Sequence, residues 1–172
     1  MWLYRSGGIE NPVVLYDYKK TRSGSCAEEF LEWFSGYLQT DGYDGYNKVK
    51  NIKRLYCMAH IRRKFFEIIS PLNPEALEQS HALEWFNYCE QLYEIEKELK
   101  EQYIGSDDNR HTIRLKRSAP ILKKFQEYVD NEIVNALPKS HLGKALTYAQ
   151  KLLPYMRTFL TNGCFEIDNN AA

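Results

Sequence analysis

Long apolar runs, paired cysteines and a dominant charge are all missing from this sequence. Its uncharged apolar runs span only a few residues, whereas about 18 to 20 are needed to cross a bilayer, and no charged-then-apolar leader follows Met1. The 4 cysteines include no CxxC pair, so we expect reduced thiols and no disulfide framework. With 6 prolines and 14% aromatic residues, disorder is excluded. We therefore expect a folded cytoplasmic protein with no membrane contact.

Charge is balanced overall but unevenly distributed. Lysine and arginine number 23, as do aspartate and glutamate, so any nucleic-acid site must be local. Residues 1–70 carry 11 basic and 8 acidic side chains, whereas residues 71–142 carry 9 and 13. Pro71 and Pro74 open this acidic stretch, and Pro138 lies near its end. We predict three segments, which are 1–70, 71–142 and 143–172.

The first segment alternates short strands and helices. Residues 1–5 and 12–18 are rich in Val, Leu, Trp and Tyr and flank a glycine turn, which predicts a hairpin. Ser25 and Glu28 have capping-box spacing, which predicts a helix start, and Gly36 marks its approximate end. Apolar residues recur at helical spacing along this helix, namely Phe30, Leu31, Phe34, Tyr37 and Leu38.

Two further strands and a helix complete this segment. Residues 37–40 and 54–59 are predicted strands, and the amphipathic stretch 61–69 is a predicted helix. The order strand, strand, helix, strand, strand, helix is typical of an α/β fold, in which a mixed sheet is covered by helices.

The rest of the chain has helical periodicity. Residues 76–103 predict one long helix, and Pro120, a favourable first-turn residue, predicts the start of a second. These two helices form an all-α helical hairpin. A third helix follows Ser140 and ends near Gly163, and Asp168 is a predicted cap for another helix start.

Several residues are candidates for chemistry. Asp41 ends a predicted strand between Thr40 and Gly42, where a carboxylate can project from a sheet edge, although most such aspartates form Asx turns. Cys57 and His60 have the CxxH spacing of half a zinc site. The alternative is a buried thiol beside a hydrogen-bonded histidine.

A basic cluster on a predicted helix is a candidate for DNA contact. Arg62, Arg63 and Lys64 are consecutive, and further basic runs occur at residues 19–22 and 48–54. Such side chains can bind phosphates, although charge runs usually face water.

Four blocks occur in order along the chain and extend over most of it. They are residues 38–47, 57–65, 143–148 and 166–172. In sequence and order, these blocks resemble those of bacterial insertion-sequence-66 family transposases. Residues 2–5 and 14–18 are similar to the upstream strands of that family, whereas the acidic helical stretch matches only in character.

The resemblance implies a partial RNase H-like core, interrupted by the all-α insertion at residues 71–142. It also implies a DDE site, in which three acidic residues bind Mg²⁺ or Mn²⁺ and the enzyme cuts and joins DNA at transposon ends. Asp41 is then the second acid, and Asn169 and Asn170 belong to a structural block with Asp168. The first acid is expected before Trp2 and the third directly after Ala172.

We therefore expect a transposase fragment that is inactive alone and binds no metal stably. A missing strand would favour self-association. The alternatives are a non-catalytic nucleic-acid-binding or helical interaction module, and a structural zinc domain at Cys57 and His60.

Overall fold

The structure, a computed structural model, describes residues 1–7 and 12–170 and is mostly helical. In chain order the elements are β1 (Trp2–Arg5), β2 (Val14–Asp17), α1 (Gly24–Phe30), β3 (Gly36–Thr40), a 3₁₀ helix (Asp44–Lys48), β4 (Ile52–Tyr56), α2 (Met58–Ile69), α3 (Pro74–Glu78), α4 (His81–Gln102), α5 (Asp107–Glu132), α6 (His141–Met156) and a second 3₁₀ helix (Arg157–Thr161). Within residues 1–7 and 12–170, no helix has the length and apolar character needed to cross a bilayer.

The strands form two separate pairs. β1 and β2 are antiparallel, with Trp2 opposite Asp17, which confirms the hairpin; Gly8, in its predicted turn, lies outside the described residues. β3 and β4 are parallel, with Thr40 opposite Tyr56. The α/β class is therefore confirmed, but the prediction of one mixed sheet is wrong for the described residues. Trp2 of β1 and Leu38 of β3 share a small core with α1, yet no backbone hydrogen bonds join the pairs.

Helix α1 is shorter than predicted and begins earlier. Ser23, not Ser25, is the N-cap, and its side chain accepts a hydrogen bond from the Ser25 amide at 3.4 Å. The helix ends at Phe30, before the predicted helical face is complete. Gly36 has a φ of 129°, which only glycine adopts readily, and it begins β3. The apolar residues on either side of it thus belong to different elements.

The long helix predicted at residues 76–103 is interrupted. It divides into α3 and α4 at Gln79 and Ser80, where Ser80 is the N-cap of α4. The predicted start of the next helix at Pro120 is also wrong, because α5 begins at Asp107 and contains Pro120. Pro120 is exposed, so the carbonyl that loses its helical N–H partner can bind water.

Polar residues explain why the first half of α5 escaped prediction. Its buried positions recur at the spacing of one helix face but carry Arg110, Arg114 and Ser118 before the apolar Leu122 and Phe125. Apolar periodicity is therefore missing from the buried face of the first half of the helix. By contrast, α6 begins where predicted, since the Ser140 hydroxyl accepts from the Gly143 amide at 2.9 Å.

One large core includes residues from all three predicted segments. Phe65 of α2 stacks on Trp85 of α4, with ring centroids 5.4 Å apart and planes inclined by 10°. Phe125 of α5 packs against both rings, and Leu146 of α6 belongs to the same buried cluster. Helices α4 and α5 therefore pack directly on α2, the helix that follows the parallel strands. The segment boundaries at 70 and 142 stay predictions.

A buried ion pair joins α4, α5 and the C-terminal residues. Arg114 donates from Nε and Nη2 to the two carboxylate oxygens of Glu96 at 2.8 and 2.6 Å. Its Nη1 also donates to the carbonyls of Asn162 and Gly163 at 3.0 and 3.2 Å. Arg114 and Glu96 are 0% and 2% exposed, so neither charge has water as an alternative partner. Their paired geometry offsets the cost of burying both charges.

Replacing Arg114 by methionine should destabilise the fold strongly. The Arg114→Met change keeps the bulk but removes both hydrogen bonds to the buried Glu96 carboxylate, which keeps only the more distant Arg110 Nη2 at 3.8 Å. Breaking a buried pair costs about 3–5 kcal/mol in comparable cases. Urea unfolding followed by circular dichroism measures the loss. Arg117→Met is the matched control, since Arg117 forms an exposed pair with Glu98 between the same two helices. Equal effects from the two changes would contradict the role of the buried pair.

Candidate functional site

The carboxyl ends of β3 and β4 lie at one edge because the strands are parallel. Asp41 directly follows β3, and Cys57 directly follows β4. His60 comes next, in the first turn of α2. We call the residues at this edge, Asp41, Cys57 and His60, the carboxyl edge.

Asp41 lies outside any helix and forms an Asx turn. One carboxylate oxygen, Oδ1, accepts a hydrogen bond from the Tyr43 amide at 3.0 Å. Among the described residues, no lysine or arginine forms an ion pair with this half-buried carboxylate. The Asx turn and the location at a sheet edge, which the sequence presented as competing interpretations, thus occur together.

Arg54 of β4 fixes the backbone around Asp41. Its Nη2 donates to the hydroxyl of the buried Thr40 at 2.7 Å and to the Asp41 carbonyl at 2.8 Å. Its Nη1 donates to Asn47 Oδ1 at 2.7 Å, and its guanidinium lies 4.4 Å from the Tyr56 ring centroid. Sequence reasoning placed Arg54 in a basic run, and no motif marks its internal role.

Helix α6 closes the other side of the Asp41 turn. Gly42 packs against Tyr148, and a Cβ added to Gly42 would come within 2.7 Å of the Tyr148 hydroxyl oxygen. The blocks at residues 38–47 and 143–148 therefore meet in space. A side chain at position 42 would displace either the Asp41 turn or Tyr148.

The C-terminal residues run along the carboxyl edge. Gln39 Nε2 donates to the Glu166 carbonyl at 2.8 Å, and the Met58 amide donates to the Ile167 carbonyl at 3.0 Å. The Asn169 amide donates to Cys57 Sγ at 3.5 Å. These contacts attach the block at residues 166–170 to both β3 and α2.

Asp168 stabilises a turn at this point. Its Oδ1 accepts from the Asn170 amide at 3.0 Å. Its Oδ2 accepts from the Tyr93 hydroxyl at 2.6 Å and from Asn170 Nδ2 at 3.1 Å. Residues 167–170 are not helical. The predicted helix start continues into Ala171 and Ala172, which lie outside the described residues.

At the carboxyl edge, Cys57 is buried and His60 is half-buried. Cys57 is 1% exposed, and burial raises the pKa of its thiol. Burial lowers the pKa of His60, while the charges of Asp41 and Asp168 act in the opposite direction. In the described part of the chain, no group of at least three His, Cys, Asp or Glu side chains is arranged to hold a metal ion.

Two other acids near the edge, Glu166 and Asp44, are held by cations, whereas Asp168 is held by Tyr93 and Asn170. Glu166 pairs with Lys100 Nζ at 2.9 Å and with Arg110 Nη2 at 3.4 Å. Asp44 pairs with Lys151 Nζ at 2.6 Å. Asp41 differs from both because it lies at the edge without such a pair in the described structure.

The three predicted DNA-binding residues have different surroundings. Arg62 pairs with Glu90, and its guanidinium lies 4.6 Å from the Phe86 ring centroid. Lys64 forms an exposed contact with Glu67 at 3.8 Å. Arg63 is exposed and has no ion pair among the described residues.

A cleft of about 410 Å³ opens between α2 and α4, beside the C-terminal turn. Arg62 and Arg63 line one side, while Tyr93 and Asn170 lie at the end nearest the carboxyl edge. Glu90 also lines the cleft and pairs with Arg62, so Arg63 is the lining cation without an ion pair among the described residues.

The similarity of this chain to a known protein family covers its whole length. The model of a family described as "Transposase IS66 family" matches residues 1–172. The uncharacterized protein y4jD of Sinorhizobium fredii is 31% identical over 95% of this chain and 32% of its own length. The uncharacterized protein y4qI of the same organism is 29% identical over 99% of this chain and 33% of its own length. The chain thus spans about a third of these relatives. No solved structure matches it.

Removing Arg54 should loosen the Asp41 turn. In Arg54→Ala the buried Thr40 hydroxyl loses its donor, and we expect a stability loss of about 1–3 kcal/mol. The amides of Gly42 and Tyr43 should also exchange hydrogen faster, which nuclear magnetic resonance (NMR) resolves. Lys53→Ala, at the exposed neighbouring position on β4, is the control. If both variants leave these amides equally protected, Arg54 does not fix the turn.

Proposed function

Because this chain belongs to the IS66 family of transposases, we propose that it forms part of the DNA cleavage and strand-transfer domain of a longer protein. The observation that carries this proposal is the convergence of separate sequence blocks on the carboxyl edge. Asp41 lies there between Arg54 and Tyr148, and the 166–170 block lies alongside. Such convergence is expected of an active site that is assembled from distant parts of a chain.

In this proposal Asp41 supplies one ligand to a Mg²⁺ or Mn²⁺ site. A carboxylate is the hard oxygen donor that these ions prefer, and the Asp41 carboxylate is not neutralised by a lysine or arginine ion pair in the described structure. When bound in pairs, such ions activate the attacking oxygen and stabilise the leaving one. Within this chain, Arg54 and the Asx turn would hold the Asp41 carboxylate in place.

One acid does not hold two ions against a phosphodiester. From the family resemblance, we expect one of the other two acids before Trp2 and the other after Ala172. The relatives are about three times as long as this chain. We therefore propose that this chain alone binds metal weakly and does not cleave DNA. Segments equivalent to the rest of the relatives would complete the site.

An RNase H-like sheet is part of the same proposal. In the described residues, β1 pairs only with β2, and β3 pairs only with β4. Trp2 and Leu38 nevertheless contribute to one small core with α1. A strand inserted between β1 and β3 would satisfy the free edge of each and join the pairs into one mixed sheet.

DNA phosphates would contact the α2 side of the cleft. Arg63 is the strongest candidate because its charge is exposed and unpaired among the described residues. Lys64 also remains available, since exposed pairs such as Lys64–Glu67 contribute little. Arg62 is held by Glu90 and Phe86, so its contribution to DNA binding should be smaller.

A non-catalytic DNA-binding module is the second candidate function. The observation that favours it is the pair of exposed cations on α2, Arg63 and Lys64, which can bind phosphates without a metal ion. This alternative requires DNA binding that depends on salt but is indifferent to Asp41 and to magnesium. It also requires that a longer form of the protein lack cleavage activity.

Substituting Asp41 separates these two functions. In a longer form that carries the remaining segments, Asp41→Asn should reduce magnesium-dependent cleavage of transposon-end DNA at least about 100-fold, because a ligand is lost. Asp44→Asn, in the same loop but paired with Lys151, should retain most activity. Gel-based cleavage assays measure both. Full activity of Asp41→Asn would contradict the proposed metal site. If the 172-residue chain alone nicks DNA and Asp41→Asn abolishes the nicking, its proposed inactivity is wrong.

DNA binding tests the role of Arg63. In fluorescence anisotropy titrations, Arg63→Ala should weaken binding to all DNA sequences and reduce the salt dependence by about one counterion. Arg62→Ala should cause a smaller change, since Glu90 already neutralises that charge. Arg117→Ala, an exposed arginine on α5, is the control. Unchanged binding by Arg63→Ala would exclude it as a phosphate contact.

A further inference from the structure

We infer that Tyr93 of α4 is a positioning residue, whose hydroxyl holds the C-terminal turn at residues 168–170 against the carboxyl edge. This inference deepens the proposed function, because it gives helix α4 a role in positioning residues beside the active site. Its relevance to catalysis rests on the proposed function. The residue acts through Asp168 and not on the reacting atoms.

The hydrogen bond between Tyr93 and Asp168 is short and lies close to the carboxyl edge. The hydroxyl lies 2.6 Å from Asp168 Oδ2, a charge-assisted hydrogen bond of the stronger kind. Burial, followed by the hydrogen bond to Asp168, raises the pKa of Tyr93, so its hydroxyl stays protonated and able to donate at neutral pH. The next residue, Asn169, donates its amide to Cys57 at the end of β4. Only one peptide unit thus separates the Tyr93 contact from the carboxyl edge.

Other contacts hold the C-terminal segment at residues that precede the turn. Arg114 binds the carbonyls of Asn162 and Gly163, and Lys100 binds Glu166. Those contacts attach the beginning of the segment to α4 and α5. Tyr93 is the residue of α4 that reaches the turn itself, where Asp168 also accepts the Asn170 amide. Loss of the hydroxyl should therefore loosen the turn while the earlier anchors remain.

The helix offers a matched control for this hydroxyl. Tyr88 lies on α4, is also half-buried and stacks on Phe125 with ring centroids 5.5 Å apart. Its hydroxyl has no hydrogen-bond partner among the described residues. Tyr88→Phe and Tyr93→Phe thus delete the same atom from the same helix, but only the second removes a donor to Asp168.

Amide exchange in the 172-residue chain tests the inference without DNA or metal. In Tyr93→Phe, the amides of Asn169 and Asn170 should exchange at least about tenfold faster, as expected for loss of a hydrogen bond to a charged group. In Tyr88→Phe these amides should be unchanged. NMR exchange rates give both results, and the amides of Leu146 and Leu152, in the core of α6, report global stability.

Two outcomes would overturn the inference. The first is unchanged exchange at Asn169 and Asn170 in Tyr93→Phe. The second is equal acceleration at Leu146 and Leu152, which would indicate a general loss of stability and no specific role at the turn. Because neither readout requires catalysis, failure here is distinct from failure of the proposed function. In a longer active form, Tyr93→Phe should lower kcat and leave the DNA Kd unchanged.

Discussion

The buried pair between Arg114 and Glu96 is the constraint on which the rest of this structure depends. It joins α4 to α5 and, through the carbonyls of Asn162 and Gly163, sets where the chain turns after α6. Gly163 packs so closely on the Asp107 carbonyl that a side chain would not fit there. From this fixed turn the chain runs directly to the carboxyl ends of β3 and β4. An ion pair in the helical part of the molecule thereby helps to hold residues 166–170 beside the ends of β3 and β4.

Helices α4 and α5 and strand β4, which pairs with β3, form one structural unit through the core that they share with α2. Phe65, Trp85 and Phe125 pack in a shared core, and the polar contacts of Lys100 and Tyr93 reach the C-terminal residues from the same helix, α4. For an IS66 family transposase, such an arrangement would make the helices part of the active-site scaffold. These helices hold the carboxylates of Glu166 and Asp168 in ion pairs and hydrogen bonds, whereas in the described structure the Asp41 carboxylate accepts only the hydrogen bond of its Asx turn.

Local patterns in the sequence predicted much of this fold. The hairpin, β3 and the start of α6 follow from β-propensity and capping chemistry, which act over a few residues. The first half of α5 was missed because its buried face carries Arg110 and Arg114. Of the candidate site, the sequence predicted the position of Asp41 at the end of a strand, and its role stays a prediction. Its contacts with Arg54 depend on parallel register, which no short-range pattern encodes.

The central claim is that Asp41 and the C-terminal turn border one site for a divalent cation. Adding Mn²⁺ in small steps to the isotopically labelled chain, while following amide signals by NMR, tests this most directly, because paramagnetic broadening reveals even weak binding. The account predicts that Gly42, His60 and Asn169 broaden first and that Asp41→Asn removes the effect. Broadening centred on acids remote from β3 and β4, and unaffected by Asp41→Asn, would contradict it.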